Sequence, residues 1–423
     1  MIKNVDMKLF PSKLNGEIKA PPSKSLSHRS IICAALSKGK SVISNLIYSD
    51  DINATIDSLE LLGAKFDKKE DSLTVHGIKK IKHVENEVNC KESGSTLRFL
   101  IPIFSLTDEE VIFTGSKALI NRPQTIYSKI FKDDGNKFTI KNNKIMVNGS
   151  LTPRKYNVKG DVSSQFFSGL MFALPLLDGD SSIYIEGELE SKSYIDLTID
   201  ILEKFGITIS PFENGYYIPG KQEYKPTNYN VEGDFSQAAF HLVGGALSGL
   251  VKVNDLEHDS FQGDKAIIEF IKQMKGRVIF MEKGYITEFS KTKGTTIDIS
   301  DCPDLGPIIS LLACLSEGTT HIKNISRLRI KESDRVQSTV STLKKLGANI
   351  TSSESEITIK GTSSLKGGVT LDSHNDHRIA MMISIAALVC EKEVTLTNAN
   401  AVTKSYPGFF DDYKLLGGKY KLI

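Results

Sequence analysis

Cationic and hydroxyl side chains recur in short loops along this sequence. The segment PPSKSLSHRS places Lys24, Ser25 and Arg29 just after a rigid Pro-Pro step. Hydroxyl, ammonium and guanidinium groups near a helix N-terminus can bind phosphate, although the same residues are also common at solvated helix starts. Their recurrence in several loops favours one anion site built from many segments. The other loop residues of this kind are Gly94, Arg122, Ser163, Ser164, Gln165, Ser191, Tyr194, Arg327, Lys331, Glu332, Arg335, Arg378 and Lys404.

Two other chemistries fit parts of the sequence. His374, Asp376 and His377 could be metal ligands, but they share a loop with an arginine and no second cluster completes a site. A Ser-His-Asp hydrolase could use one of the many serines, yet the Gly-x-Ser-x-Gly elbow is missing. We therefore predict neither a metal nor a cofactor.

The composition excludes several classes of protein. The chain has 423 residues, of which 40% are hydrophobic and 25% charged, as in ordinary globular proteins. A net charge of +2 gives no general attraction to nucleic acid or to an anionic membrane, so we expect neither as a partner. The five cysteines form no Cys-x-x-Cys pair, and the first ten residues lack the apolar core of a signal peptide. These features predict a cytoplasmic protein.

A repeat of about 70 residues organises the chain. In four of six copies, apolar residues lie 11, 7, 4 and 1 positions before a glycine, as Ile52, Ile56, Leu59 and Leu62 do in the first copy. This spacing keeps one helix face apolar, and glycine can then adopt the left-handed conformation that ends the helix. The six glycines are Gly63, Gly135, Gly206, Gly276, Gly347 and Gly417.

A β-hairpin pattern follows the helix in four copies and ends at Gly77, Gly149, Gly220 or Gly361. In KFTIKNNKIMVNG the residues alternate between polar and apolar around an Asn-Asn turn. Each repeat also contains an apolar helix that runs into a strand. The repeat is therefore a mixed helix-and-strand unit of the α/β class.

The repeats predict two globular domains of three copies each, because 70 residues is long for a solenoid repeat. The polar stretch around Pro226 marks the break between the third and fourth copies. Only six residues follow Gly417, so we expect the N-terminal strand in MKLFPSKLNGEI to complete the last copy. The predicted domains are residues 1–20 plus 231–423, and residues 21–230.

Nine short motifs, in order from Lys24 to Lys404, resemble those of the 5-enolpyruvylshikimate-3-phosphate synthase family. They are PSKSLSHR, SGSTLR, NRP, SSQF, SKSYID, PD, KESDR, DHR and TKSYPG. The resemblance implies an α/β fold of two inside-out prisms, each built from three βαβαββ repeats, with the active site in the cleft between them. It also implies transfer of the enolpyruvyl group of phosphoenolpyruvate to the 5-hydroxyl of shikimate 3-phosphate, with release of phosphate and without a metal or cofactor.

The same resemblance implies roles for individual residues. Lys24, Asp304 and Glu332 would be catalytic. Shikimate 3-phosphate would bind to Lys24, Ser25, Arg29, Ser163, Ser164, Gln165, Ser191, Tyr194, Asp304 and Lys331. Phosphoenolpyruvate would bind to Lys24, Gly94, Arg122, Gln165, Arg335, Arg378 and Lys404. These two small molecules are the expected partners of a monomeric protein. His28 and Arg327 depart from the family pattern, since many members have asparagine at each position.

Two rival functions remain to be weighed. The UDP-N-acetylglucosamine enolpyruvyl transferases share the fold and the donor, but that family has a reactive cysteine where this chain has Lys117. A phosphate-binding protein without activity would lack the acid-base groups, yet Lys24, Asp304 and Glu332 are present. The sequence therefore favours the shikimate branch.

Overall fold

The computed structural model describes residues 5–81 and 87–423. Among these residues, none of the helices is long and apolar enough to cross a membrane. In chain order, the helices are α1 Lys24–Leu36, α2 Asp50–Leu61, α3 Gly94–Phe104, α4 Lys117–Ile120, α5 Thr125–Asp133, α6 Ser164–Ala173, α7 Lys192–Lys204, α8 Phe235–Ser248, α9 Ala266–Gln273, α10 Gly306–Cys314, α11 Arg335–Lys345, α12 His377–Ala387 and α13 Phe409–Leu415.

The strands of the described ranges form six sheets of four strands each. They are β1 Met7–Phe10, β2 Asn15–Lys19, β3 Lys40–Ser44, β4 Lys65–Lys68, β5 Ser72–His76, β6 Val88–Asn89, β7 Glu110–Thr114, β8 Lys137–Lys141, β9 Lys144–Asn148, β10 Lys155–Lys159, β11 Ser181–Glu186, β12 Ser210–Phe212, β13 Gly215–Ile218, β14 Tyr229–Asn230, β15 Leu250–Asn254, β16 Arg277–Met281, β17 Gly284–Glu288, β18 Thr296–Asp298, β19 Thr319–Lys323, β20 Asn349–Ser352, β21 Glu356–Lys360, β22 Thr370–Asp372, β23 Val394–Thr397 and β24 Lys419–Leu422.

The third repeat shows the pattern common to the six sheets. Strands β10 and β11 pair in parallel and are joined through α6. Helix α7 then leads to the hairpin β12–β13, whose second strand pairs antiparallel with β11. This order is βαβαββ, so the predicted mixed α/β fold with six such repeats is confirmed.

Contacts divide the chain into two compact units. The N-terminal segment up to Pro21 and the residues Glu232–Ile423 form one unit, called here the repeat 4–6 unit. Pro22–Val231 form the other, called the repeat 1–3 unit. The sequence placed the two crossings after residues 20 and 230.

Strands distant in sequence complete three of the sheets. In the fourth repeat, β2 pairs in parallel with β15. In the sixth repeat, β1 lies between β23 and β24 and pairs antiparallel with both. In the first repeat, β14 pairs in parallel with β3, although almost two hundred residues separate them. Each unit therefore closes its sheets with a strand from the far end of its own segment.

Three helices in each unit are buried on nearly every side. In the repeat 4–6 unit, every residue of α8, α10 and α12 is buried. In the repeat 1–3 unit, α1, α3 and α6 occupy the corresponding places and are almost as deeply buried. A helix that is buried on nearly every side must be surrounded. Helices α8, α10, α12 and α1 contact strands of the sheets, and α3 and α6 pack against each other. Each unit is thus inside-out, with helices within and sheets outside.

The repeated glycines end the second helix of each repeat, with one exception. Gly63, Gly135, Gly206, Gly347 and Gly417 have positive φ angles, as predicted. In the fourth repeat the prediction for Gly276 is wrong, because Lys275 takes the left-handed conformation with φ of 64°. A Cβ atom at Gly276 would lie 2.9 Å from the carbonyl oxygen of Ile271, so this glycine is required for space instead.

The hairpins follow the predicted turn chemistry but are more numerous than predicted. Asn142 and Asn143 connect β8 to β9 with φ angles of 53° and 58°, as a type I′ turn requires. The fourth repeat also forms a hairpin, β16–β17. The sequence pattern missed it because Ser290 stands where the other copies have their closing glycine.

Two glycines of the first repeat should differ in their response to alanine. Gly63 has φ of 100° and open space around it. Gly63→Ala should therefore lower the unfolding free energy only by the strain of alanine in a left-handed backbone, about 1–2 kcal/mol. A Cβ at Gly77 would lie 1.8 Å from the carbonyl oxygen of Ser37, so Gly77→Ala should cost about 3 kcal/mol. Urea denaturation measures both values.

Gly408 provides the control for this comparison. It has open space and φ of −81°, so Gly408→Ala should change the unfolding free energy by less than about 0.5 kcal/mol. Equal losses for Gly63→Ala and Gly77→Ala would show that the close approach at Gly77 does not constrain the fold.

Candidate active site

In the repeat 1–3 unit, the predicted site residues lie where the inner helices begin. Lys24, Gly94 and Ser164 are the first residues of α1, α3 and α6. Ser93 caps α3 by accepting a hydrogen bond from the N–H of Thr96, 3.1 Å away. A helix start carries unpaired N–H groups and a partial positive charge, which favours an anion. The amino ends of α1, α3 and α6 are therefore suited to bind an anion.

Lys24 is held by a carboxylate. Its Nζ donates to Oδ2 of Asp51 at 2.8 Å, and both side chains are mostly buried. Asp51 lies in the first turn of α2, where it also complements the helix dipole. The ammonium group therefore has a fixed place beside the start of α1.

Gly94, Arg122 and Gln165 lie together. A Cβ atom at Gly94 would lie 2.6 Å from Nη1 of Arg122 and 3.6 Å from Oε1 of Gln165. Gln165 is fixed by two further bonds, since Nε2 donates to Ser95 and Oε1 accepts from Arg98, each at 3.0 Å. Only glycine permits this close approach of a guanidinium group to the start of α3.

Arg29 is buried and binds neighbouring segments of the unit. Its Nη1 donates to the carbonyl oxygen of Ser25 at 2.9 Å, and its Nη2 donates to that of Tyr194 at 3.1 Å. Its Nε donates to the hydroxyl of Thr198 at 2.8 Å. Burial lowers the pKa of Arg29 to about 10, so the group stays charged at neutral pH. Arg29 thus joins the start of α1 to the start of α7.

Ser191 holds a strained place immediately before α7. It is fully buried and has φ of 55°, which is uncommon for a residue with a side chain. Its carbonyl oxygen accepts a hydrogen bond from the N–H of Tyr194 at 3.1 Å. Backbone strain like that of Ser191 is concentrated at functional sites.

At the start of α6, the hydroxyl of Ser163 accepts a hydrogen bond from the N–H of Gln165 at 3.3 Å.

In the repeat 4–6 unit, three cations surround Asp304. Its Oδ1 accepts from Nη1 of Arg335 at 2.9 Å and from Nζ of Lys331 at 3.0 Å. Its Oδ2 accepts from Nη2 of Arg378 at 2.8 Å. Burial alone would raise the pKa of Asp304, but Arg378, Lys331 and Arg335 together hold it well below its usual range. Burial lowers the pKa of Lys331, and Asp304 opposes that effect.

Arg335 connects three carboxylates although it is almost completely buried. Besides Asp304, it binds Glu332 through Nη2 and Asp376 through Nε, the latter at 2.8 Å. Burial alone would lower the pKa of Arg335, but Asp376, Glu332 and Asp304 raise it above its ordinary value. Leaving a buried charge without a partner is costly, and these carboxylates compensate the charge of Arg335. The guanidinium group therefore stays charged and fixes both candidate acid-base carboxylates.

Asp376 caps α12, and both of its carboxylate oxygens accept hydrogen bonds. Its Oδ1 accepts from the N–H of Arg378 at 2.9 Å, and its Oδ2 accepts from Ser333 at 3.0 Å as well as from Arg335. A metal ion would compete with these donors. Within residues 5–81 and 87–423, no group of three acidic, histidine or cysteine side chains is placed to hold a metal.

Arg378 and Lys404 lie around the start of α12. Nη2 of Arg378 donates to the hydroxyl of Ser236 at 3.1 Å, and that hydroxyl donates to Asp264. Lys404 donates from Nζ to the carbonyl oxygen of Asn375 at 2.6 Å, in the loop that precedes α12. The start of α8 thus contacts the guanidinium group that binds Asp304.

Two carboxylates that position these cations were not found from the sequence. Asp51 was not singled out, and Asp376 was considered only as a metal ligand. Each lies at a helix start, where an acidic residue already has a local explanation. A better signal would have been the requirement that a buried cation be paired with a carboxylate or with several hydrogen-bond acceptors.

The chain is similar to known proteins of one family. A family model described as EPSP synthase (3-phosphoshikimate 1-carboxyvinyltransferase) matches residues 10–413. The 3-phosphoshikimate 1-carboxyvinyltransferases of Clostridium novyi and Clostridium beijerinckii are 49% and 47% identical to this chain, over 98% of it and 98% of each relative. The EPSP synthase structure from Acinetobacter baumannii matches with a TM-score of 0.82 at 25% identity, over 99% of this chain and 100% of that one. The chain therefore belongs to the EPSP synthase family.

Proposed function

We propose that this protein transfers the enolpyruvyl group of phosphoenolpyruvate to the 5-hydroxyl of shikimate 3-phosphate. The products are 5-enolpyruvylshikimate 3-phosphate and phosphate, on the route to chorismate and the aromatic amino acids. Membership of the family supports this activity. The observation that carries it is the carboxylate of Asp304 bound by Lys331, Arg335 and Arg378.

The cations suit the charge of the two substrates, which together carry roughly −5 to −6 at neutral pH. Bidentate guanidinium groups bind phosphate and carboxylate well. The groups proposed for phosphoenolpyruvate are Lys24, Gly94, Arg122, Gln165, Arg335, Arg378 and Lys404. Those proposed for shikimate 3-phosphate are Lys24, Ser25, Arg29, Ser163, Ser164, Gln165, Ser191, Tyr194, Asp304 and Lys331.

The reaction proceeds by addition and then elimination, and both steps need proton transfer. In the addition, Asp304 accepts the proton of the 5-hydroxyl while the methylene carbon of phosphoenolpyruvate gains one. Glu332 exchanges protons with that methylene, and Lys24 assists as a cation. The contacts of Arg335 with both carboxylates support this division, because one rigid group sets their separation.

The substrates also regulate the basicity of Asp304. A carboxylate that accepts bonds from three cations is a weak base, since its charged form is strongly favoured. Arg335, Arg378 and Lys331 are the groups proposed to bind substrate anions, so each anion competes with Asp304 for them. As the substrate anions share these cations, the pKa of Asp304 rises toward its ordinary value. Proton transfer then becomes favourable once the substrates are bound.

We further propose that the enzyme works in the cytoplasm as a monomer. The five cysteines are all unpaired and buried, which suits a reducing compartment.

The activity is tested by phosphate release. We expect phosphate to form from phosphoenolpyruvate when shikimate 3-phosphate is present, with or without a metal chelator. UDP-N-acetylglucosamine should not replace shikimate 3-phosphate. Release only with UDP-N-acetylglucosamine, or loss of activity with the chelator, would contradict the proposal.

Asp304→Asn tests the base. The amide keeps the shape of the side chain but cannot accept the proton, so turnover should fall by about 10²-fold or more. Calorimetric binding of phosphoenolpyruvate should not weaken, because a competing negative charge is lost. Asp298→Asn is the control, since Asp298 binds Asn324 rather than the three cations, and it should keep normal turnover. Near-normal turnover of Asp304→Asn would remove Asp304 from the mechanism.

Lys24→Met tests the cation at the start of α1. It keeps most of the stem but loses a charge-assisted hydrogen bond, which costs about 1.5–3 kcal/mol. Phosphoenolpyruvate should therefore bind at least about tenfold more weakly to the complex with shikimate 3-phosphate. Shikimate 3-phosphate alone should bind within a few-fold of normal. Lys38→Met, which removes an exposed lysine paired with Glu223, should change neither affinity.

A further inference from the structure

A second contact between α1 and α2 lies beneath the Lys24–Asp51 ion pair. His28 follows Lys24 by four residues on α1, and Thr55 follows Asp51 by four residues on α2. This spacing places the second pair one helical turn deeper on the same faces. The Nδ1 atom of His28 lies 2.8 Å from the hydroxyl of Thr55, and both residues are fully buried.

The contact continues as a chain of hydroxyl groups to α3. The hydroxyls of Thr55 and Thr96 lie 2.7 Å apart, and Thr96 donates to the hydroxyl of Ser93 at 2.7 Å. Ser93 is the residue that caps α3, immediately before Gly94. Four buried side chains therefore connect α1, through α2, to the start of α3.

His28 takes part in this chain as a neutral group. Burial, together with the charges of Lys24 and Arg29, holds the pKa of His28 well below its usual range. Its Nε2 is buried and has no hydrogen-bond partner among the described residues. The imidazole therefore makes its polar contact with the protein through Nδ1. Its ring also meets the edge of Phe99 on α3 at a centroid distance of 6.4 Å.

Arg29, the next residue on α1, makes side-chain hydrogen bonds to α6 and α7, although its guanidinium group also lies over the ring of Phe99 on α3, 5.0 Å from the centroid. Its Nε donates to the hydroxyl of Thr198 on α7, which lies 2.7 Å from the hydroxyl of Ser168 on α6. Helix α1 is thus held by two separate pairs of buried hydroxyls. The pair Thr55–Thr96 contacts it through His28, and the pair Ser168–Thr198 contacts it through Arg29.

We propose that His28 is a positioning residue for phosphoenolpyruvate. Through the hydroxyl chain, its imidazole sets the distance between Lys24 on α1 and Gly94 on α3, two of the groups proposed for phosphoenolpyruvate. Lys24 is proposed for both substrates, but Gly94 only for phosphoenolpyruvate. This inference rests on the proposed function. The chain through Arg29 positions the shikimate 3-phosphate groups instead. A break in one chain should therefore affect mainly one substrate.

Two matched threonine variants test this separation. Thr55→Val and Thr198→Val each remove one buried hydroxyl at nearly constant volume. Loss of a neutral hydrogen bond predicts that Thr55→Val raises the KM for phosphoenolpyruvate about fivefold while the KM for shikimate 3-phosphate stays within about twofold. Thr198→Val should give the reverse pattern. Equal changes in both constants for both variants would overturn the proposal.

Substitutions of His28 test the atom involved. His28→Asn places an amide near the position of Nδ1, whereas His28→Gln carries its amide past that position toward Nε2. His28→Gln should raise the KM for phosphoenolpyruvate about fivefold, and His28→Asn should restore it to within about twofold of normal. A general loss of packing would instead make the two variants alike, and that result would overturn the positioning role.

The thermal unfolding of His28→Gln, Thr55→Val and the double variant provides a readout that does not need activity. If the two side chains interact, the melting temperature of the double variant should fall by less than the sum of the single decreases. If the decreases in melting temperature are additive and the wild-type enzyme has normal turnover, only the positioning role of His28 is overturned. Absence of wild-type turnover would overturn the proposed function, and the positioning role with it.

Discussion

The burial of six helices on nearly every side is the constraint on which the rest of this structure depends. Helices α8, α10 and α12 are buried along their whole length, and α1, α3 and α6 nearly so. Because neighbouring helices and strands cover their sides, their ends are the places where polar groups can face a ligand. The amino ends carry unpaired N–H groups and a positive partial charge. The fold therefore provides sites for anions before any cationic side chain is added.

Cations at these buried ends require carboxylates, and this requirement links stability to chemistry. Arg335 is compensated by Asp304, Glu332 and Asp376, and Lys24 by Asp51. Removing one partner of a buried pair leaves a charge that low-dielectric surroundings penalise. The carboxylates thus stabilise the cations as well as serving as acid-base candidates. Substrate anions can take over that compensation, which would free Asp304 to accept a proton.

The fold could be predicted from the sequence where the signals are local, and the site only in part. Glycines such as Gly63 and Gly347 end helices because they alone adopt positive φ without strain. The pairing of β14 with β3 was not predicted, since a two-residue strand with a distant partner leaves no periodic pattern. Cations were found because their types recur in loops. Their partner Asp51 was missed because an acidic residue in a first helical turn is ordinary.

The segment PPSKSLSHRS shows how the local explanation for a helix start can fail. Ser23 occupies the N-cap position of α1, yet its hydroxyl makes no capping bond and is buried. Ser27 and Ser30 instead donate to carbonyl oxygens of the preceding turn, those of Ser23 and Ser27. Such bonds satisfy a hydroxyl within its own helix, so small polar residues can be buried at little cost. The polar composition of α1 therefore reflects close packing against α2, α3, α6 and α7 rather than exposure to solvent. His28 and Arg29 share the ring of Phe99 but make their hydrogen bonds to different helices, so the loss of one hydrogen bond need not break the other.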